Sequence, residues 1–356
     1  MAQHLWRNSR RRGAVPAREQ AYPPLRESGQ SAPSRLFAAF ATGGNGPFDN
    51  LRTGFGADVA FAQVEDKLVE HYGILPAQST IRRVTGAHAQ KIYAATTVDE
   101  TWPGEEGSET VIVEMDGGMV PTVEADAAQK DRRKGKKLLW KEAKLCLAHE
   151  AGNKTLSYGG TLQGDVAEAG KQLFGCARTA GFEKKSQIHA VGDGADRIAL
   201  QVDERFGGQG SYLVDFYHVC DYLSAAAAAV HAGAEMAKAW FNQQKERLKS
   251  GNCAEVIESL RAHLEADEVA DSGAAVRACH RYLNRRQDQL DYPRIGHNLP
   301  IGSGEIESAH RYIVQKRLKL PGSWWCAANA EYILALRLNR ANRQWDNYWT
   351  QARKAA

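Results

Sequence analysis

The chain has 356 residues, 43% hydrophobic and 25% charged, which is the composition of an ordinary soluble globular protein and enough for two or three structural units. No apolar run approaches the roughly 20 residues of a membrane span, and the Ala-rich stretch from Ser224 to Val230 is far too short, so an integral helical membrane protein is excluded. The net charge of +4 is too small to argue for nucleic acid by itself, and local clusters must carry that argument.

Six cysteines, at 146, 176, 220, 253, 279 and 326, lie far apart, with no Cys-x-x-Cys pair and no histidine spaced to complete a zinc knuckle. They read as reduced thiols of a cytosolic protein, and the N-terminus has no signal-peptide core. Residues 1–54 open with an arginine-rich leader: the first 50 residues hold seven Arg and no Lys, with Pro23-Pro24 and a Gly-Gly-Asn-Gly loop at 43–46. Such a stretch buries too little apolar area to order itself and is expected to be disordered.

Residues 55–98 change to helical spacing, through Val59, Phe61, Val64, Leu68 and Tyr72, then Gly73, Pro76 and a second helix opening at Ser79 with Arg82-Arg83. Two helices about a glycine turn resemble a helix-turn-helix, in which Arg82 and Arg83 would meet DNA. After a polar linker from Asp99 to Glu109 comes Thr110-Val111-Ile112-Val113-Glu114-Met115-Asp116-Gly117-Gly118, a β-branched strand. Alternation places Ile112, Glu114 and Asp116 on one face and Val111, Val113 and Met115 on the other. Met119 to Val123 is expected to pair back across a Gly117-Gly118 turn. A third antiparallel strand is expected from Leu138, after the basic run Arg132-Arg133-Lys134-Gly135-Lys136-Lys137. Glu114 is expected to pair with a sheet lysine, Lys141 or Lys144.

Helix spacing over 165–180, a strand over 187–191, a helix over 195–206 and a strand over 211–215 complete the pattern of three strands, helix, strand, helix, strand. The fold class is therefore α/β, a mixed sheet layered with helices, over 108–218. Residues 219–295 read as all-helical. Residues 296–356 hold a helix from Glu305 to Lys319, a Pro321-Gly322 break, and another helix from Ala327 to Arg343.

Asp116 ends the first strand and Asp193 follows the fourth, and ligands converge at strand ends in open α/β sheets. For Asp193, turn chemistry and capping of the next helix is an equally good reading. Glu305 and Glu307 lie roughly 200° apart around a helix, so only one of them can face that site. Glu307 shares its face with His310 and Arg311, whereas Glu305 sits in the first turn, where it complements the helix dipole. Three convergent carboxylates can hold two divalent metals and act on a phosphodiester, and Mg²⁺, with Mn²⁺ able to substitute, suits such oxygen ligands. From His310 to Arg343, Arg311, Lys316, Arg317, Lys319, Arg337, Arg340 and Arg343 face one carboxylate, Glu331, an imbalance suited to DNA phosphates.

Five blocks carry a resemblance: Val113-Glu114-Met115-Asp116-Gly117; Asp131 to Lys137 with Trp140-Lys141-Glu142; Val191-Gly192-Asp193-Gly194-Ala195; Asp215-Phe216-Tyr217-His218-Val219; and Leu299 to Arg311. In this order they resemble the DDE transposases of bacterial insertion sequences, specifically the ISKra-type group related to the Mutator superfamily. The resemblance spans about Phe55 to Trp349. It implies a ribonuclease H-like core with a helical insertion over 219–295, before the last acidic helix. It implies that Asp116 and Asp193 are metal-binding aspartates, that Glu307 is the third acid, and that Asp215 and His218 form the near-site Asp-x-x-His motif. By itself, His218 reads as a helix-start histidine capped by Asp215.

The implied activity is metal-dependent cleavage at element ends and transfer of the 3′-OH into target DNA. The implied partners are terminal inverted repeats, target DNA and further copies of the chain. The alternatives are a catalytically inactive DNA-binding remnant and a ribonuclease H-like nuclease without strand transfer. Two departures stand out. Residues 1–54 do not look like the family's N-terminal region, and Asp196-Arg197 stands where the family more often has an apolar or aromatic pair.

Overall fold

A computed structural model describes residues 46–101, 103–125, 135–295 and 298–355, all within one unit, Gly44–Ala356. The expected disordered leader therefore lies outside the described residues up to position 45. Its last part does not fit the expectation, because Pro47–Asp58 is a helix (α1) with proline in the first turn, where its missing N–H costs nothing. Phe61–Tyr72 (α2) ends at Gly73 with φ +64, a left-handed cap that favours glycine. Gln78–Ala95 (α3) buries Ile81, Val84, Thr85, His88, Ala89 and Ile92, one stripe at helical spacing. The expected pair of helices is thus a set of three.

Thr110–Ala125 forms one uninterrupted strand (β1). Gly117 and Gly118 do not turn. They sit within the strand opposite Lys144 and Ala143 of β2, Lys136–Glu150, and neither has a positive φ. Their role is clearance, since a Cβ on Gly117 would strike the Glu142 carboxylate and one on Gly118 the His310 ring. The expected separate strand over 119–123 is simply the second half of β1. A short strand absent from the sequence reading, Ser157–Thr161 (β3), pairs with the other edge of β2. Its two glycines and low apolar content hide it from pattern reading.

Val166–Thr179 (α4), Gln187–Gly192 (β4), Asp196–Phe206 (α5) and Gly210–Val214 (β5) follow. The five strands lie in the order β3-β2-β1-β4-β5, with β1-β2 and β2-β3 antiparallel and β1-β4 and β4-β5 parallel. The protein is a mixed α/β fold with this sheet between helical layers. Val111, Val113 and Met115 of β1 pack with Leu173 and Ala177 of α4 and Ile198 and Val202 of α5. The opposite face places Val120, Leu145 and Leu147 against the C-terminal helices. Leu145 and Leu147 are fully buried, and truncating either to Ala costs about 2–5 kcal/mol.

Phe216–Val230 (α6), Ala234–Lys249 (α7), Cys253–Arg261 (α8) and Ala275–Asn284 (α9) build a separate apolar cluster around Leu223, Leu248, Val256, Leu260 and Leu283, joined to the sheet through Leu213 and Val214. The described residues of 219–295 contain no strand. Gly304–Ala309 (α10) runs into a π turn, His310–Gln315, and a last turn, Lys316–Leu318, where a single α-helix is expected from the sequence. Carbonyls loosened by the π turn are met from Ala327–Ala341 (α11): Arg337 Nε donates to Ile313 O at 2.6 Å, and Nη2 donates to Tyr312 O. Trp345–Lys354 (α12) closes the chain. All six cysteines are free thiols, and no helix among the described residues is long and apolar enough to cross a membrane.

Candidate active site

The parallel pairing of β1 with β4 ends at Glu114 opposite Val191. Two residues beyond that pairing stand Asp116, which lies within β1 rather than at its end as expected, and Asp193, just past the end of β4. Asp116 points to the face covered by α10, as the alternation requires. Asp116 and Glu307 line one cavity of about 200 Å³, together with Gly117, Gly118, His310 and Arg311. Glu305 does not line it. Its carboxylate lies 2.9 Å from His149 Nε2 instead, on the β2 side of the helix.

Asp193 does not line that cavity either, but its charge reaches Asp116. Burial raises the Asp116 pKa above its ordinary value, the His310 ring opposes the rise from 3.7 Å, and Asp193 and Glu142 add to it. Both oxygens of Glu142 accept from Arg197, with Nη1 at 2.9 Å from Oε2. This pairing, against the desolvation it carries, holds the Arg197 pKa up, and Asp193 and Asp116 reinforce it. Arg197 therefore brings a guanidinium to the edge of the acidic group.

Glu114 is the buried neighbour. It is 1% exposed, and its Oε2 accepts from the Ile306 amide at 2.7 Å. Burial pushes its pKa up to about 8. The expected pairing with a sheet lysine does not occur. Lys144 Nζ donates to Gly164 O at 3.1 Å and lies 3.7 Å from Glu142. A register step explains this: Glu114 faces Leu147, while Lys144 faces Gly117.

The Asp193 loop is held by its main chain. Asp193 Oδ1 accepts from the Ala195 amide at 2.9 Å, a local turn bond, and the cap of α5 is Ala195 rather than Asp193. Tyr282 Oη donates to Asp193 O at 2.7 Å, Arg286 Nε donates to Gly194 O at 2.5 Å, and Gly194 N donates to Tyr212 Oη at 3.0 Å. Gly194 has φ +80, and a Cβ there would strike both Arg286 and Tyr282.

Asp215 is buried and works in two directions. Its Oδ1 accepts from the amides of Tyr217 at 2.6 Å and His218 at 3.2 Å, capping α6. Its Oδ2 accepts from the Ser303 amide at 2.8 Å and Oγ at 2.6 Å, fixing the loop that starts α10. The His218 ring stands edge-on to Tyr222 and Tyr282. His189 Nε2 lies 2.7 Å from Pro300 O, a second tie to that loop. Sequence reasoning missed Ser303, Tyr282, Arg286 and His149. Only Ser303, inside a quoted block, carried a local signal. The others act through contacts between segments far apart in the chain.

Of the basic residues expected at DNA, Arg82, Arg83, Lys136, Lys137, Arg311, Lys316 and Lys319 are exposed, while Arg132, Arg133 and Lys134 lie outside the described residues. Arg317 does not fit the expectation. It is 2% exposed, and its Nε donates to Gly56 O at 2.9 Å. Arg337 and Arg340 also turn inward, to Asp58 at 2.8 and 2.9 Å. Glu331 is used as well, accepting from Thr161 Oγ1 and from the Leu162 and Gln163 amides. The C-terminal imbalance of charge is thus partly internal, because helices at the N-terminal side supply the acceptors.

Among the described residues, no group of three or more His, Cys, Asp or Glu side chains is arranged to hold a metal ion. The donor chemistry does fit a hard divalent cation, since carboxylate oxygens are its preferred ligands and a cation beside Asp116 would reverse the rise in its pKa. Compared with protein-family models and with curated proteins, the chain matches none.

Proposed function

We propose that this chain is a DDE-type DNA transposase that cuts at the ends of its own element and joins the freed 3′-OH to target DNA. The observation that carries this reading is the shared cavity of Asp116 and Glu307, rimmed by Arg311 and Lys319, with Asp193 leaving the adjacent strand. The strand order β3-β2-β1-β4-β5, with two antiparallel and then two parallel pairings, supports a ribonuclease H-like core. The helices from α6 to α9 are then its insertion.

In this reading Asp116, Asp193 and Glu307 hold Mg²⁺, or Mn²⁺ in its place. The chemistry supplied by bound divalent ions is activation of the attacking oxygen and stabilisation of the leaving oxygen. The chain's own contribution is positional. Glu114 and Asp215 fix the start of α10, the Arg197–Glu142 pair borders the acids, and Arg311 and Lys319 meet phosphate. Pairing of two element ends calls for more than one copy of the chain, acting on DNA in the bacterial cytosol.

The deciding experiment incubates Asp116→Asn, Asp193→Asn and Glu307→Gln with end-containing duplex and Mg²⁺. Each is expected to lose strand cleavage while keeping DNA binding. Full activity of Glu307→Gln together with loss in Glu305→Gln would overturn the choice of third acid. The open arrangement of the acids favours a second reading, a DNA-binding remnant. Binding by the wild type with no nicking at any Mn²⁺ concentration selects the remnant, and cleavage without a joined product selects a plain nuclease.

A further inference from the structure

A second cavity, of about 440 Å³, lies between the start of α2, one face of α3 and the start of α11, and shares no lining residue with the cavity of the acids. Phe61, Arg82, Arg317, Trp324, Asn329 and Tyr332 line it, and no Asp or Glu does among the described residues. Two guanidiniums stand over one ring: Arg317 at 4.7 Å and Arg82 at 5.9 Å from the Phe61 centroid. Arg317 also lies 4.8 Å from the Trp325 ring, so it is within cation–π reach of two aromatics.

A buried guanidinium is costly to leave unmatched, and this one is incomplete. Its Nε is used by Gly56 O, but its Nη2 is buried with no hydrogen-bond partner among the described residues. No described residue answers that donor. Arg317 lines the cavity, so the wall there carries a cation for which an anionic acceptor is the preferred partner. Its mouth offers a flat apolar face as well, because Trp324 is 43% exposed.

An anion joined to a planar ring is what a nucleotide presents, and the volume lies within the common range of about 300–1,000 Å³ for small-molecule sites. Duplex DNA keeps its base faces stacked on each other, so only an unstacked base can lie on an indole. We infer that this cavity takes one unpaired nucleotide of a DNA strand, with its base on Trp324 and its phosphate at Arg82 and Arg317. The inference rests on DNA being the partner, but not on the three acids. It moves Arg317 from a surface contact with the DNA backbone to the floor of a pocket.

The full chain is titrated with a short labelled oligothymidylate, with free thymidine monophosphate, and with a duplex of the same length as the oligomer. Anisotropy and tryptophan fluorescence are followed. Trp324→Ala is expected to weaken single-strand binding by about tenfold, the scale of one lost stacking contact, and to leave duplex affinity unchanged. Trp324→Phe keeps a π face and is expected to recover most of the affinity. Arg82→Gln is expected to weaken the strand and lessen its salt dependence. Binding of the monophosphate alone, competing with the strand, identifies a free nucleotide as a sufficient ligand. Competition by the strand only identifies a nucleotide within DNA.

The pocket assignment is overturned if Trp324→Ala leaves single-strand affinity unchanged, weakens strand and duplex equally, or if a peptide ending in a phenylalanine carboxylate binds more tightly than the strand. A wild type that binds neither strand nor duplex overturns the DNA partner too. A wild type that binds and cuts duplex, with Trp324→Ala matching it in single-strand affinity, overturns the pocket alone.

Discussion

Tyr282 of α9 and Asp193 after β4 are joined directly, the tyrosine hydroxyl donating to the aspartate's main-chain carbonyl at 2.7 Å across 89 residues of chain. The helical segment from α6 to α9 therefore does more than pack on the edge of the sheet, because it fixes the backbone that presents Asp193. Tyr282→Phe keeps the ring that stacks on Tyr222 at 4.1 Å and removes only that bond. A net hydrogen bond is worth about 0.5–1.5 kcal/mol, and the expected result is cleavage slowed by about tenfold. DNA affinity is expected to be unchanged. Comparing single-turnover rates with binding isotherms checks both, and equal losses in the two would count against a positioning role.

Glu114 sets a pH dependence of stability. Its carboxyl titrates near 4.5 when unfolded and at about 8 when folded, so the folded state holds the proton more tightly. The sign follows from linkage: its contribution is complete below pH 4.5, declines as pH rises, and is lost by about pH 8. Glu114→Gln mimics the neutral acid and retains an oxygen for the Ile306 amide. At pH 8 the variant is expected to be more stable than the wild type by about 4 kcal/mol, and near pH 5 to come within about 1 kcal/mol of it. Urea melts at both values test this, and identical differences at the two would refute it.

The inward arginines predict a separation of stability from DNA affinity. Arg337→Gln breaks contacts to Asp58, Ala57 O, Ile313 O and Tyr312 O and is expected to cost about 3 kcal/mol. Lys316→Gln and Lys319→Gln are expected to leave the melting curve in place. They should instead lower the slope of DNA affinity against salt by about one unit each. Thermal melts and salt titrations of the three variants distinguish the two classes.

Much of this was legible along the chain because it rests on local pattern. Alternation in 110–116 assigned Asp116 and Glu114 to one face, and helical spacing found α3, α4 and α5. The continuity of β1 through Gly117 and Gly118 was not legible. Two adjacent glycines signal a turn locally, and only the Glu142 and His310 side chains that need their space show otherwise. Arg317 likewise looks like every other basic residue near it until Phe61 and Trp325 close around it. Glu305 and Glu307 were separable by angle in principle, yet which of them met Asp116 depended on where α10 was anchored. That anchor is made by Ser303 and Ile306 bonding to Asp215 and Glu114.

The π turn at His310–Gln315 changes the phase of the helix that carries Glu307. In an unbroken α-helix Lys319, twelve positions after Glu307, would lie roughly 120° around the axis from it. One extra residue in the turn takes back roughly 100° of that angle, and Lys319 accordingly lines the same cavity as Glu307. The placement of that cation thus depends on the number of residues in the turn as much as on their chemistry. Deleting one residue from 310–315 would swing Lys319 away from the acids while leaving its side chain intact.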